Sequence, residues 1–188
     1  MIINGRLSFV NLFEPKADLS GNLKYNAQVL IPKTDEVTLK AVRAEIAKAI
    51  EQGVSKGKFK VEQTKSAKFK NPLRDGDEYY AESPGAARES CKGHFFINAT
   101  NTKQPGVVDR FGNPIMDADE VYSGCYGLAD VQFFPFNQSG NVGVGGSLQN
   151  VMKKKDGERL DGRQSAQEAF KQYMDDPSAE EQAAGDLE

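Results

Sequence analysis

Apolar and polar residues alternate in two short runs near the start of the chain, which predicts two β-strands there. The runs cover residues 6–13 and 25–31. In the second run every other residue is apolar or aromatic, at Tyr25, Ala27, Val29 and Ile31. The connection contains Pro15, Gly21 and Asn22, so we expect it to be a hairpin loop.

The pattern changes to a helical period directly after these runs. Within residues 35–52 the apolar positions recur three or four residues apart, at Leu39, Val42, Ile46, Ala49 and Ile50. The other positions are largely charged. Thr34 or Asp35 can cap the start of such a helix, and Gly53 suits its end. One amphipathic helix that packs on a sheet is therefore expected between the early strands.

Strand patterns return in the second half of the chain. Residues 94–100, 126–136 and 142–152 are predicted strands, and the last two are expected to pair antiparallel through the turn at 137–141. Residues 101–119 are predicted to form an extended loop with a small hairpin at 111–114.

The remaining segments have weaker patterns. Residues 53–84 are expected to be loop-rich, with short strands at 59–61 and 77–81. Residues 165–173 predict a short helix, because Ser165 and Glu168 match a capping box. The Ala- and acid-rich end predicts disorder.

Together these elements predict a mainly β protein, a small β-barrel of the OB-fold type, with one amphipathic helix inserted between early strands and a short C-terminal helix. The domain is expected to cover residues 1–173 and a disordered acidic tail residues 174–188. No apolar run reaches the roughly 18 residues that span a bilayer, and the first residues lack a signal-peptide pattern. We expect a cytoplasmic protein with no membrane partner.

The charges are distributed unevenly along the chain. The segment 174–188 contains six acidic residues and no basic one. Leaving these six out of the 27 acidic residues, the first 173 residues carry 21 acidic against 24 basic residues. Within residues 53–70 six lysines face one acid, Glu62. A basic surface indicates a polyanion partner, and a detached acidic segment could compete for the same surface.

Few residues could carry catalysis or hold a metal. Cys91 and His94 have the C-x-x-H spacing of half a zinc site, but only Cys125 could add a third thiolate or imidazole ligand, where a structural site needs four. His94 is the single histidine, and the glycines of 140–147 lack the Gly-Lys-Ser/Thr ending of a phosphate loop. We therefore expect no catalytic residue, no metal and no cofactor, with packed thiols at both cysteines.

Two acidic clusters keep one enzymatic alternative open. The sequences Asp75-Gly-Asp77-Glu78 and Asp117-x-Asp119-Glu120 could hold Mg²⁺ for a nuclease. Asp-Gly-Asp is also ordinary turn chemistry. A metal-dependent nuclease is thus the best enzymatic alternative, behind a binding protein.

Basic side chains interleaved with aromatic ones are the main functional signal. Rings stack on the faces of unpaired bases without reading them, while lysine and arginine contact phosphates. The candidate phosphate-binding residues are Lys56, Lys58, Lys60, Lys68, Lys70, Arg74, Arg110, Lys153, Lys154 and Lys155. The candidate stacking residues are Phe59, Phe69, Tyr79, Tyr80, Phe111 and Tyr122. We expect these residues to line one cleft.

Several motifs make the chain resemble a known bacteriophage family. They are Pro72-Leu-Arg-Asp-Gly-Asp77, Tyr122-Ser-Gly-Cys-Tyr126, Phe133-Phe-Pro-Phe136, Gly140-Asn-x-Gly143 and Leu148-Gln-Asn-Val151 followed by Asp156-Gly157. The resemblance is to OB-fold single-stranded-DNA-binding proteins of phages, long catalogued as uncharacterised, and it runs over about residues 1–173. The acidic end is similar to the tails of phage and bacterial single-strand binders, although it finishes with Asp186-Leu187-Glu188 and not with an aromatic or hydrophobic residue.

The resemblance implies sequence-independent binding and protection of single-stranded DNA during phage replication and recombination, in the cytoplasm of the infected host. It also implies a tail that competes with DNA and recruits replication or recombination proteins through residues 174–188. Duplex DNA stays open as a weaker partner, as does the oligomeric state. A structural phage protein that binds no DNA is the second alternative.

Overall fold

The computed structural model describes residues 1–18, 20–138, 140–160, 162, 169, 170 and 173. The predicted helix at 165–173 lies mostly outside the described residues, and the predicted tail at 174–188 lies wholly outside them. The boundary between domain and tail near residue 173 therefore stays a prediction.

The described elements are seven strands, four α-helices and one 3₁₀ turn. The strands are β1 (Ile2–Ala17), β2 (Leu23–Pro32), β3 (Leu73–Asp75), β4 (His94–Asn101), β5 (Gly106–Val108), β6 (Tyr126–Gln138) and β7 (Asn141–Lys155). The helices are α1 (Glu36–Ser55), α2 (Val61–Thr64), α3 (Gly76–Glu82) and α4 (Ala86–Glu89), and the 3₁₀ turn covers Ala118–Glu120.

Five of the described strands close into a barrel. β2 pairs antiparallel with β1 and β4, β6 pairs antiparallel with β1 and β7, and the parallel pair β4–β7 joins the two ends. β3 extends the barrel along β4, and β5 runs parallel to β7. The mainly β, OB-type barrel with one helix between early strands is therefore confirmed.

The barrel interior is filled by the apolar faces predicted from the period of two. Ala27, Val29 and Ile31 of β2 are at most 1% exposed and belong to the main core. Helix α1 packs mainly against β6, and it buries Leu39, Val42, Ile46 and Ala49 in the same core. The expected packing helix is confirmed, and the Asp35 side chain caps it by accepting from the Thr38 N–H at 3.0 Å.

Both short strands predicted between residues 53 and 84 are wrong. Residues 77–81 belong to helix α3, because the Asp75 carboxylate accepts the N–H groups of Asp77 and Glu78 and so caps a helix. Phe59 is buried ahead of helix α2, where the Gln63 side chain accepts the Lys60 N–H at 2.8 Å.

The loop predicted at 101–119 contains more structure than expected. Strand β5 lies within it, and a hairpin turn follows in which the Asp109 N–H donates to the Asn113 carbonyl at 2.9 Å. The Asp109 carboxylate also accepts the N–H groups of Phe111 and Asn113. The small hairpin at 111–114 is thus confirmed, together with a parallel strand that its short pattern did not reveal.

Candidate nucleic-acid interface

A groove runs along the outer face of strands β1, β2 and β4. Side chains alternate between the two faces of a strand, so the residues next to buried Ala27 and Val29 point away from the barrel interior. Asn26 and Gln28 of β2 pair across the sheet with Thr100 and Asn98 of β4. The groove encloses about 340 Å³ and is lined by Phe9, Lys16, Ala17, Asp18, Lys24, Asn26, Ala27, Gln28, Tyr79, Asn98 and Thr100.

The floor of the groove is built from amide side chains that form hydrogen bonds with neighbouring amides. The Gln28 side chain is 3% exposed and donates from Nε2 to Asn98 Oδ1 at 3.1 Å. Asn11 Nδ2 donates to Asn26 Oδ1 at 2.9 Å, and Asn26 in turn donates to the Phe9 carbonyl. These bonds fix the amides in place, so the floor presents oriented polar groups between strands.

Phe9 occupies the rim of the groove in an unusual backbone conformation. Its φ of 45° makes it the one non-glycine residue with positive φ in the described part of the chain. It lies where the register between β1 and β2 shifts, between Ser8 and Asn11, as in a β-bulge. The bulge turns the ring outward, where it is 43% exposed. A strained aromatic residue at a groove is a candidate for function.

Two lysines face each other at one end of the groove. Lys16 of β1 and Lys24 of β2 are direct cross-strand partners. The Lys24 ammonium lies 2.7 Å from the Asp18 carboxylate. This hydrogen bond, with the backbone N–H groups of Asn22 and Ser20, lowers the pKa of Asp18 to about 2. Lys16 also lines the groove, and it makes no ion pair within the described residues.

A wall of aromatic and guanidinium groups closes the other end. Tyr79 of α3 lines the groove and packs on Phe96 with ring centroids 5.0 Å apart. The guanidinium carbons of Arg88 and Arg74 lie 3.8 and 4.7 Å from the Tyr79 ring centroid. Beneath this wall is a second apolar cluster of Leu30, Cys91 and Phe96, outside the barrel. The structure thus brings the predicted residues Tyr79 and Arg74 together, and Tyr79 lines the groove.

A row of paired residues crosses the outer face next to the groove. Each member is the direct cross-strand partner of the next, in the order Lys155, Tyr126, Arg6, Leu30, Phe96, Arg74. The guanidinium carbon of Arg6 lies 5.7 Å from the Tyr126 ring centroid, and the Lys155 ammonium 4.7 Å from it. The row places cations at both ends and in the middle of this face.

The residues after β7, at 156–160, cross this row as a strap. Arg6 Nη2 donates to the Glu158 carbonyl at 2.7 Å, and the Leu160 N–H donates to the Ser123 carbonyl at 2.8 Å. Leu160 packs against the second apolar cluster. The Tyr122 hydroxyl donates to the Asp156 carboxylate at 3.0 Å, and desolvation raises the pKa of Tyr122. The predicted residue Tyr122 therefore anchors the strap.

The predicted lysines of residues 56–70, the lysine segment, lie elsewhere. Lys56, Lys58, Lys60, Lys68 and Lys70 are exposed, and none is among the residues that line the groove. The segment packs along the β6–β7 hairpin: Asn137 Nδ2 donates to the Lys58 carbonyl at 2.7 Å, and the Lys70 N–H donates to the Val142 carbonyl at 2.9 Å. The expectation of one cleft for all candidate residues is therefore wrong.

Phe59 has to be corrected as a stacking residue. It is 3% exposed and packs edge-on against Phe69 with ring centroids 5.3 Å apart. A Cβ on Gly53 would lie 2.2 Å from this ring, so the glycine makes room for it. Phe69 is half-buried against the main core. These rings anchor the lysine segment to the barrel.

The other predicted residues are spread over separate parts of the surface. Tyr80 is half-buried with the Lys92 ammonium 4.3 Å from its ring centroid. Lys153 lies 2.8 Å from Asp156, while Lys154 is exposed at the end of β7. Arg110 and Phe111 stand on the turn held by Asp109, where Phe111 is 74% exposed.

The prediction from sequence missed Phe9, Lys16, Lys24, Arg88 and the amide floor. The amides had a detectable signal, because the residues that alternate with Ala27 and Val29 must face outward. Phe9 had none, since its orientation depends on a bulge that breaks the alternation.

Four of the predicted metal and acidic residues, Cys91, His94, Asp75 and Asp77, are engaged in structural contacts. Cys91 Sγ lies 3.5 Å from Gln28 Oε1. His94 Nδ1 lies 2.7 Å from the Lys92 carbonyl oxygen. Asp75 and Asp77 lie 2.6 and 2.7 Å from the Lys33 ammonium, which lowers the pKa of both carboxyls. Among the residues that the structure describes, no three His, Cys, Asp or Glu side chains come together as metal ligands.

The helices of the described part of the chain are too short or too polar to cross a membrane.

A comparison with known sequences found a phage relative. A relative, "Putative protein p50" of Acyrthosiphon pisum secondary endosymbiont phage 1, is 35% identical over 165 residues, which cover 85% of this chain and 84% of the relative.

Two solved structures share the fold. The single-stranded DNA-binding protein from bacteriophage Enc34 in complex with ssDNA is 23% identical, with a TM-score of 0.66 over 84% of this chain and 86% of that one. The single-stranded DNA-binding protein gp2.5 of bacteriophage T7 is 15% identical, with a TM-score of 0.57 over 94% and 96%.

Residues 1–182 match the family described as the ssDNA-binding protein of Enterobacter phage Enc34. Because this match spans nearly the whole chain, the protein belongs to that family of phage single-stranded-DNA-binding proteins.

Proposed function

We propose that this protein binds single-stranded DNA, without sequence preference, in the groove on the outer face of β1, β2 and β4. The observation that carries the proposal is the groove itself, with an exposed Phe9 ring at its rim and the facing lysines Lys16 and Lys24 at one end. OB-type barrels bind oligonucleotides on the equivalent strands. The likeness to the Enc34 protein in complex with ssDNA supports this fold-level argument.

The groove can perform two tasks that single-strand binding requires. The Phe9 ring offers a flat face on which any base can stack, and lysine ammonium groups neutralise backbone phosphates. The amides of Asn26, Asn98 and their neighbours can contact base edges, but they are bonded to one another and therefore select weakly. Binding is expected to depend on salt and to tolerate any base.

The remaining predicted residues extend this proposal beyond the groove. The lysine segment, the exposed pair Arg110 and Phe111, and Lys154 and Lys155 would contact DNA that leaves the groove on either side. Duplex DNA would bind more weakly, because its paired bases cannot stack on Phe9.

The acidic residues of 174–188 complete the proposal. We place the domain at residues 1–173 and assign the acidic segment a competing role, in which its carboxylates occupy the basic surface until DNA displaces them. The same segment would recruit replication or recombination proteins, and the protein would coat exposed strands in the cytoplasm of the infected host. The arrival of the chain on the groove face, through the strap at 156–160, supports the competing role.

Replacing the exposed ring tests the groove directly. Phe9→Ala is expected to weaken binding of a fluorescein-labelled oligo(dT) by about 5- to 150-fold, which corresponds to the about 1–3 kcal/mol measured for one stacked base. The measurement is a fluorescence-anisotropy titration at fixed salt, with the melting temperature of each variant recorded.

Phe134→Ala is the matched control. Phe134 is also 43% exposed and lies on β6, away from the residues that line the groove. Equal losses in both variants, or no loss in Phe9→Ala, would show that DNA does not stack in this groove. An absence of binding by the unaltered protein would reject the function itself.

A further inference from the structure

Two arginines from different elements contact the Tyr79 ring. Arg74 comes from β3 and Arg88 from α4, and both guanidinium groups lie over Tyr79, at 4.7 and 3.8 Å from the ring centroid. Arg88 Nη1 also donates to the Tyr79 carbonyl at 2.7 Å, which fixes the position of its guanidinium group. The chain thus holds two positive charges around Tyr79, a residue that lines the groove.

One carboxylate lies between these two arginines. Glu82 Oε2 lies 3.7 Å from Arg74 Nη2 and 3.9 Å from Arg88 Nη1. Both distances exceed a normal hydrogen bond, so the carboxylate balances charge without forming a bidentate pair. The Glu82 side chain is 63% exposed, against 42% for Arg74 and 27% for Arg88. The anion is therefore the most solvated member of the trio.

We propose that Arg74 and Arg88 form a phosphate-binding site at the groove wall, and that the Glu82 carboxylate occupies this site until a backbone phosphate of DNA displaces it. The proposal rests on the proposed function, because it assigns one phosphate of the bound strand to this wall. Arg88 is assigned here from geometry alone, since nothing in its sequence context distinguishes it.

The exchange of anions has a physical basis. A phosphodiester offers two charged oxygens to two guanidinium groups, and arginine forks bind such oxygens in pairs. Glu82 reaches the site with one oxygen at a distance that permits no hydrogen bond. A phosphate can accept hydrogen bonds from the two arginines that the Glu82 carboxylate does not make. A small anion in solution must displace Glu82 without the additional contacts that a DNA strand makes in the groove. Glu82 thereby reduces capture of anions other than a strand that already lies in the groove.

Removing the charge of Glu82 tests the exchange. Glu82→Gln is expected to tighten binding of labelled oligo(dT) about 5-fold at low salt, since the affinity no longer includes displacement of an attached charge. The slope of log K against log salt should steepen by up to about 0.7, the value for one phosphate contact on a single strand. Anisotropy titrations at several salt concentrations measure both quantities.

Glu78→Gln is the control for net charge. Glu78 belongs to the same helix, is exposed, and makes no ion pair within the described residues. If Glu78→Gln tightens binding as much as Glu82→Gln does, the gain is a long-range charge effect and the proposal is overturned.

A double-mutant cycle separates the site from its surroundings. In an Arg88→Gln background the gain from Glu82→Gln should disappear, because the phosphate site has lost one of its two forks. A gain that persists undiminished in this background contradicts the proposal.

The outcomes also separate this inference from the proposed function. If the unaltered protein binds DNA and Phe9→Ala weakens it while Glu82→Gln acts like Glu78→Gln, the groove stands and only the phosphate site falls. If no variant and no wild-type protein binds, the proposed function falls with it.

Discussion

At the scale of single residues, the groove depends on which side chains the strands direct outward. In β2 the regular alternation places Val29 inside and Gln28 outside, and both follow from the order of apolar and polar residues. Phe9 does not follow this alternation. Its outward ring follows from a φ of 45° at a bulge, a property of tertiary structure that no local pattern encodes.

The same distinction explains why stacking residues were predicted with mixed success. Phe59 and Phe111 have similar surroundings in sequence, each beside a basic residue. Phe59 is 3% exposed because the absence of a side chain at Gly53 opens a place for its ring, whereas Phe111 stands on a turn organised by Asp109. The composition shows how many aromatic side chains the chain contains, but tertiary packing determines which of them are exposed to solvent.

Asp18 gives a prediction for the pH dependence of stability. Its pKa lies at about 2 in the folded protein, below the ordinary 3.8, because the carboxylate binds Lys24 and backbone N–H groups. A lowered folded-state pKa stabilises the fold above the unfolded-state pKa, and this contribution is lost as pH falls from about 4 to about 2. The difference in unfolding free energy between wild type and Asp18→Asn should therefore be greatest near neutral pH and shrink over that window.

Urea unfolding at a series of pH values measures this difference. Glu14→Gln, which removes a carboxylate on the preceding strand β1, controls for net charge. A wild-type advantage over Asp18→Asn that stays constant down to pH about 2 would show that the Asp18–Lys24 pair is not formed in solution.

At the scale of elements, helix α1 was predictable because its signals agree with one another. An Asp35 cap, a run of good helix formers and an apolar face at 39, 42, 46 and 49 all specify the same helix. Helix α3 was not predicted, although Asp75-Gly-Asp77 contains its cap, because the two tyrosines that follow favour strands. There the side-chain cap at Asp75 outweighs strand propensity.

The contribution of α1 to stability can be measured with one pair of variants. Leu39 is 2% exposed in the main core, so Leu39→Ala is expected to lower the free energy of unfolding by about 2–5 kcal/mol. Val37, on the same helix, is 83% exposed, and Val37→Ala should change it by less than about 0.5 kcal/mol.

Chemical denaturation of both variants tests this expectation. Affinity for oligo(dT) should stay unchanged in each of them while they are folded, since the helix supplies no residue to the groove. If Leu39→Ala leaves the free energy of unfolding unchanged, α1 is not packed on the barrel as described.

At the scale of the whole molecule, the groove and the lysine segment are two separate basic surfaces. The groove carries Lys16 and Lys24, while the lysine segment follows the β6–β7 hairpin. The total charge of the first 173 residues indicated a polyanion partner but contained no information on this division, since the positions of surface lysines depend on how distant segments pack.

Oligonucleotide length should separate the two basic surfaces. Lys58→Gln with Lys60→Gln is expected to leave the affinity for a strand of about 4 nucleotides unchanged, because such a strand fits one groove. For a strand of about 16 nucleotides, the upper range for one OB domain, the affinity should fall about 3- to 10-fold and the salt slope should decrease by about 1.4 for two lost phosphate contacts.

The double variant Lys40→Gln with Lys48→Gln provides the comparison, since both lysines lie exposed on α1. Equal losses for the long strand in both double variants would indicate a general charge effect. A loss for the short strand in the first of them would place the lysine segment within the groove's own contacts.

The parallel pairing of β7 with β4 has a consequence for how the protein is made. Thr100 of β4 cannot pair with Ser147 until Ser147 has been synthesised, 47 residues later. At the usual 5–20 residues per second of translation, the ribosome needs roughly 2–9 s for this stretch. During that interval the nascent chain exposes an unpaired sheet edge, which is a template for pairing with another chain.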